Sequence, residues 1–259
     1  MLHFNLNHFM GPAFVFRRVI QAILPATLLL AACSKSDTPT PTPVPDTGKV
    51  LISHAAAAAN TQITAFANDQ QVGQLNYGQS TAYSGVTTGN ATIRINNGTA
   101  VVTTQTLAVT KDQNYSVFAY SPTATIGSAA LLAVTDDLTV PAMGTAKVRI
   151  VHLGVGASTP VRLSIPSATP TGAPTDLTTD VAFGAASAFV VLNVGSLNLS
   201  VTTAAMPRTQ VVAVGDGTGA GTGVKAFESG KIYTIVVRGI SGTGVPAAQQ
   251  IQAVIVPNN

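Results

Sequence analysis

Ala91-Thr92-Ile93-Arg94-Ile95-Asn96-Asn97-Gly98-Thr99-Ala100-Val101-Val102 is the stretch on which the fold class turns. Polar and apolar residues alternate through Ile95, and a run dominated by β-branched residues begins at Val101 and continues to Val109. Alternation of period two is the mark of a strand with one buried face. Asn97-Gly98 between the two runs is a hairpin signal, since both residues tolerate the positive φ of a type I′ turn. Gln62-Ile63-Thr64-Ala65-Phe66 alternates in the same way, Ile232 to Val237 is rich in β-branched residues, and Asn68-Asp69 and Ser241 to Gly244 read as turns. Short strands separated by turn chemistry predict an antiparallel β-sandwich.

The pattern occurs twice. Lys49-Val50-Leu51-Ile52-Ser53-His54 matches Lys147-Val148-Arg149-Ile150-Val151-His152 at four of six positions. Tyr77-Gly78 through Ile95 aligns without gaps to Phe183-Gly184 through Val201, with three identities in nineteen. Asn114-Tyr115-Ser116-Val117 corresponds to Ile232-Tyr233-Thr234-Ile235, and Leu132-Ala133-Val134 to Gln252-Ala253-Val254. The expected fold is all-β, with two tandem antiparallel, immunoglobulin-like β-sandwich domains at 49–141 and 146–259, each large enough to bury a core. Tyr115 and Tyr233 each follow a polar stretch and open a late strand, which predicts a tyrosine corner, the hydroxyl bonding back to upstream backbone.

Ahead of this body lie two other segments. Arg17 and Arg18, the apolar run Val19 to Leu30 and the small-residue sequence Leu30-Ala31-Ala32-Cys33 read as a lipoprotein signal over 1–33, with Cys33, the only cysteine, as the lipidated residue. Met10 is an alternative start. The apolar run is too short for a membrane span of about 20 residues. Residues 34–48 contain Thr38-Pro39-Thr40-Pro41-Thr42-Pro43-Val44-Pro45, where alternate prolines forbid helix and sheet. At roughly 3.1 Å per residue such a stalk reaches about 45 Å.

Removing Arg17 and Arg18 leaves 11 basic against 10 acidic residues, so the mature chain is near neutral and has no basic cluster for nucleic acid. His54 and His152 are the only histidines after Cys33 and stand at equivalent strand ends, where bonding to a neighbouring loop is the expected role. Asp136-Asp137 is the only acidic pair and the one candidate for a metal, as Ca²⁺ ligands at the handover between the repeats. Adjacent strand residues point to opposite faces, however, which argues against joint acid–base work. Gly215 to Gly223 alternates glycine without a phosphate-loop pattern and reads as a flexible hairpin loop. Tryptophan is absent, and Tyr77 and Tyr83 become Phe183 and Phe189 in the second copy, which predicts buried rings and leaves Tyr120 unassigned.

The chain resembles a bacterial family known as domain of unknown function 4397. The resemblance rests on Val148-Arg149-Ile150-Val151-His152, Phe183-Gly184, Ile232-Tyr233-Thr234-Ile235-Val236 and Leu131-Leu132-Ala133-Val134-Thr135-Asp136-Asp137, and covers most of 49–256. It implies an exported, β-rich, often duplicated and often lipidated protein, and no activity or catalytic residue. Ala55 to Ala59 departs from the more polar turn usual in that family, which speaks against a loop-based function there. Cys33-Ser34-Lys35-Ser36-Asp37 is similar to lipoproteins of the Bacteroidota. The expectation is a non-enzymatic binding or structural lipoprotein of the cell envelope. It is held to the outer membrane by lipid on Cys33, on the surface or the periplasmic face, without cofactor and with an extracellular protein or glycan as partner. The alternative is a hydrolase of surface polymers or an accessory subunit of one.

Overall fold

The computed structural model describes residues 44–169 and 172–259; the signal segment, Cys33 and most of the stalk lie outside the described residues. The first half contributes β1 (Thr47–Ala55), β2 (Ile63–Ala67), β3 (Gln70–Leu75), β4 (Ser84–Thr87), β5 (Gly89–Asn97), β6 (Ala100–Val109), β7 (Asn114–Tyr120) and β8 (Ala130–Asp136). The second contributes β9 (Thr145–His152), β10 (Val161–Ile165), β11 (Thr175–Asp176), β12 (Ala185–Ala186), β13 (Val190–Asn193), β14 (Gly195–Leu197), β15 (Ser200–Thr203), β16 (Gln210–Ala213), β17 (Lys225–Phe227), β18 (Ile232–Arg238) and β19 (Gln252–Pro257). The fold is all-β, and β1 takes in Thr47 and Gly48, the last two residues of the expected stalk. Among the described residues no helix is long and apolar enough to cross a membrane.

In the first half a sheet of order β4-β1-β7-β8 faces one of order β3-β2-β5-β6. Alternation fills the space between them: Ala91, Ile93 and Ile95 of β5 meet Ile63, Ala65 and Ala67 of β2 and Val50 and Ile52 of β1. On the outside, Arg94 lies 4.1 Å over the Phe66 ring and pairs with Asp69 at 3.1 Å. The second half follows the same plan, β9-β18-β19 extended by β12 and β13 facing β11-β10-β15-β16, with β14 and β17 as a separate ribbon.

Neither half is purely antiparallel. β1 runs parallel to β7 from Lys49↔Asn114 to Ala55↔Tyr120, and β9 runs parallel to β18 from Lys147↔Ile232 to His152↔Val237. A parallel neighbour needs a long crossover, and the whole facing sheet supplies it in each half. Both strands are central and lose their alternation, so that Val50 through Ala55 are all buried.

The turns also differ in part from expectation. The β5–β6 hairpin forms, but Asn97 pairs with Ala100, leaving Gly98-Thr99 as the two-residue loop with a positive φ at Gly98 alone. A first central residue with positive φ is the mark of a type II′ turn. The type I′ geometry occurs instead at Asn68-Asp69 (φ 48° and 62°), where the Asn68 side chain accepts a bond from the Thr92 amide. The glycine-rich segment does not hang free: Ile255 N donates to Gly217 O, Thr218 bridges to Val254, and Asp216 N donates to Thr222 O, so the loop lies along the outer edge of β19. A Cβ on Gly217 would come within 2.3 Å of Ile255.

Registers make the correspondence between the halves testable residue by residue. Ala65 faces Ile95 as Leu163 faces Val201, and the amides of Ile52 and Ile150 donate to the hydroxyls of Thr81 and Ser187. The last strand is offset two residues further than the sequence match suggests: Val117 pairs with Ala133 and Ile235 with Ile255, so Leu132-Ala133-Val134 stands where Val254-Ile255-Val256 stands. A slip of two preserves which face is buried.

Both tyrosine corners form. The Tyr115 hydroxyl accepts from the Thr110 amide at 3.1 Å and that of Tyr233 from the Glu228 amide at 3.3 Å, each five residues upstream. Tyr115→Phe or Tyr233→Phe removes the acceptor and leaves the ring, so each is expected to lower the unfolding free energy by about 1 kcal/mol. A fall in the urea midpoint at unchanged slope checks this.

The outer faces of the β1 and β9 sheets pack together through Ala55 and Phe118 against Val151, Leu153, Val236 and Val254. Residues 44–259 accordingly form one compact unit with a core in each half and a third between them. Contacts across this seam obey an approximate two-fold relation. Arg238, closing β18, stacks 4.5 Å over Tyr77, and its counterpart Tyr120, closing β7, packs edge-on at 5.9 Å against Phe183, the counterpart of Tyr77.

Candidate functional site

Asp136 and Asp137 diverge, as adjacent strand residues must. Asp137 is exposed, pairs with Lys147 Nζ at 2.7 Å and accepts from the Thr139 amide, which together hold its carboxyl down at about 2. Asp136 points into the seam between the halves. Its Oδ1 lies 2.5 Å from Arg149 Nη2, out of hydrogen-bond alignment, and its Oδ2 accepts from Tyr83 and, at 2.7 Å, from Ser116. The joint Ca²⁺ site does not assemble, because each carboxylate is engaged by a different cation.

Arg149 completes a buried polar cluster. Its Nε donates to Thr234 Oγ1 at 2.9 Å, its Nη1 to Thr135 O at 3.3 Å, and its guanidinium sits 4.5 Å from the Phe189 ring centre. Thr234 in turn donates to Asn258, whose Nδ2 donates to Tyr83 Oη at 2.9 Å. Ser116–Asp136 and Thr234–Asn258 are equivalent pairs meeting across the seam. Tyr83 is therefore not the interchangeable buried ring that its replacement by Phe189 suggests: its hydroxyl ties the halves together, and burial followed by the Asp136 charge pushes its pKa up to about 12.

The two histidines are fully buried and differ in their bonding. Nδ1 of His54 accepts from the Ala56 amide at 3.3 Å, which leaves the proton on Nε2, bonded to Thr61 O at 3.0 Å in the loop after β1. Burial, reinforced by the Arg238 charge, lowers its pKa. This is the loop-bonded strand-end histidine expected. His152 is held less tightly: neither ring nitrogen makes a well-aligned hydrogen bond among the described residues, and burial lowers its pKa against the opposing pull of the Ser158 backbone in the loop that follows β9. Tyr77 and Phe183 meet the two imidazoles edge-on, both at 5.8 Å.

Beside His54 opens a cleft of about 550 Å³. Its floor is Ile63, Ile95 and Ala119, and one wall is the 3-10 turn Ala57–Ala59 that follows the first strand. The turn is held by two bonds, Ala58 N to Ser121 Oγ and Gly127 N to Ala58 O, which staple the Ser121–Ala129 loop over it and leave Ile126 exposed at the rim. Val245 and Pro246, from the loop between β18 and β19, close the opposite wall. Polar groups are confined to uncharged side chains, among them Asn60, Asn97, Thr243 and Gln249.

The cleft lies at the end of the body opposite to the point where the chain enters. His54 lies seven positions along β1 from Thr47, or about 23 Å at 3.3 Å per residue. Like ends of the halves lie together, since Tyr83 meets Asn258 at one end and Tyr77 meets Arg238 at the other. In the second half, the recess beside the loop that follows β9 is only about 300 Å³, with hydroxyls of Ser158, Thr203, Thr209 and Ser241 at its surface. The alanine turn that sequence comparison set aside is thus a wall of this cleft. Only the smallness of its side chains hints at this in the sequence, and the opposite wall comes from residues nearly 200 positions later.

No curated protein matches the chain. A solved structure from Bacteroides eggerthii DSM 20697, provisionally described as a cell adhesion protein, aligns at 12% identity over 83% of this chain and 96% of that one. Its TM-score of 0.22 is too low to bear on function. The β1–β8 half with its following strand is where a family model matches: residues 48–159 are similar to the family described as Domain of unknown function (DUF4397).

Proposed function

We propose that this is a lipid-anchored protein of the outer membrane whose folded body, two copies of one β-sandwich module, works by non-covalent binding. The observation that carries the reading is Leu30-Ala31-Ala32-Cys33 with its basic and apolar lead, followed directly by a proline–threonine stalk. Several acyl chains on Cys33 make anchoring stable where a single chain is marginal. A binding role is supported by the engagement of three side chains that the sequence singled out: His54 uses both ring nitrogens, Asp136 holds Arg149, and Asp137 holds Lys147. The same pairings speak against a hydrolase built on Asp136 and Asp137. A cleft at the end remote from the chain's point of entry is suited to meeting a partner away from the anchor.

Growth of cells with an alkyne palmitate tests the anchor. The expected result is label on the wild-type chain in the membrane fraction, and neither label nor membrane retention for Cys33→Ser. Label that persists in Cys33→Ser, or its absence from the wild type, overturns the reading. Protease treatment of intact cells, with lysed cells as control, then reports which face of the membrane the body occupies.

A further inference from the structure

We propose that the cleft beside His54 binds an uncharged, predominantly apolar small molecule, with a long-chain alcohol or isoprenoid as the model ligand. The inference deepens the binding role given to the folded body and rests on that reading.

Size and lining select the class. Pockets for small ligands span about 300–1,000 Å³ and are mostly apolar with a few placed polar groups. At about 550 Å³ this cleft falls inside that range. Its lining includes no lysine, arginine, aspartate or glutamate. None of the lining side chains offers an ionic ligand a countercharge in return for the water it would lose. His54 does not supply one, because Nδ1 accepts from Ala56 and Nε2 donates to Thr61, so that it presents a neutral ring. What remains is apolar surface from Ile63, Ile95, Val245 and the alanine turn, with the Asn97 and Gln249 amides able to meet a single hydroxyl.

The second half acts as an internal control. It has the same topology, yet Gly154 stands where Ala56 stands, and the Ile251 side chain reaches 3.0 Å from the place a Cβ would occupy there. The recess on that side is smaller and lined with hydroxyls. The fold therefore does not force an apolar cleft; the residues of the first half create it, and a loop of the second half completes it.

Titration of the full-length chain with the neutral fluorophore Nile red, followed by displacement with 1-hexadecanol or palmitate, tests the inference. Saturable one-to-one binding is expected, with hexadecanol the better competitor. Ala124→Trp and Ala129→Trp, at exposed and half-exposed positions of the rim, are expected to weaken binding about tenfold or more without changing the melting temperature. Ala157→Trp, in the recess of the second half, is the control and should bind normally. Non-saturable binding, stronger displacement by palmitate, or equal loss in Ala157→Trp overturns the proposal. So does binding by Cys33→Ser but not by the lipidated chain, which would make the protein's own acyl group the occupant. Lost palmitate labelling with retained Nile red binding would remove the anchor and leave the cleft; the reverse would remove the cleft alone.

Discussion

Asp136→Ala is expected to destabilise the folded body by about 3–5 kcal/mol, because it strands a charge that has no other counterion. The Arg149 side chain is 2% exposed and that of Asp136 is 0% exposed, so neither water nor salt can take the lost partner's place. Arg149→Leu is expected to cost less, since Asp136 keeps the hydroxyls of Tyr83 and Ser116. The informative variant is the double one, Asp136→Asn with Arg149→Leu. Asn is the residue at the equivalent position, Asn258, and Leu is the residue at Leu51, so the pair copies the neutral arrangement of the other half. Its stability is expected to return to within about 1 kcal/mol of wild type, as replacement of a whole buried ion pair often does. Urea unfolding of the four proteins gives the coupling directly. Additive losses would mean that the two side chains do not act as a pair and that the seam is held by its apolar contacts.

The same cluster explains why the seam is asymmetric. Asp136 and its counterpart Asn258 both bond the Tyr83 hydroxyl, so a carboxylate placed identically in both halves would face its own copy. Divergence of Leu51 from Arg149, and of Asp136 from Asn258, puts one cation and one anion there instead.

Much of this architecture was legible in the sequence because it is local or periodic. Alternation at Ala91–Ile95 marks a strand whatever it pairs with, and the tyrosine corner is a five-residue contact. Parallel pairing of β1 with β7 was not legible, since the residues that pair are more than 60 positions apart and both strands are simply β-rich. The hairpin turn was misplaced by one residue because Asn97-Gly98 and Gly98-Thr99 both contain the glycine, and only the register of Asn97 with Ala100 separates them. The burial of Arg149 depends on a second sheet, which alternation within one strand does not report. The cleft was invisible for the same reason: its walls come from opposite halves.

Lowering the pH from 7.5 to 4.5 is expected to destabilise the body progressively, beginning near 6.5. His54 and His152 are both 0% exposed, and burial lowers the pKa of each. Below the ordinary imidazole value of 6.5 the unfolded chain therefore takes up protons that the folded chain refuses. More protons on the unfolded state means that stability rises with pH, so it is full above 6.5 and lost as the pH falls toward the folded-state values. Each histidine contributes a slope of at most about 1.4 kcal/mol per pH unit, and the two together about 2.7. The causes differ, which makes the effect separable. Protonating Nδ1 of His54 would aim a second N–H at the Ala56 amide that it now accepts from, and Arg238 adds repulsion. For His152 burial is the main cause, opposed by the Ser158 backbone. His152→Phe, which keeps an edge-on ring against Phe183, is expected to halve the slope at little cost at neutral pH. His54→Gln, with one donor and one acceptor, should remove much of the rest. Asp137 does not confuse the reading: its depressed carboxyl, at about 2, loses its contribution only below 3.8. Urea midpoints that stay level from pH 7 to 5, or a slope unchanged in His152→Phe, would show that the strand-end histidines open to water before they accept a proton.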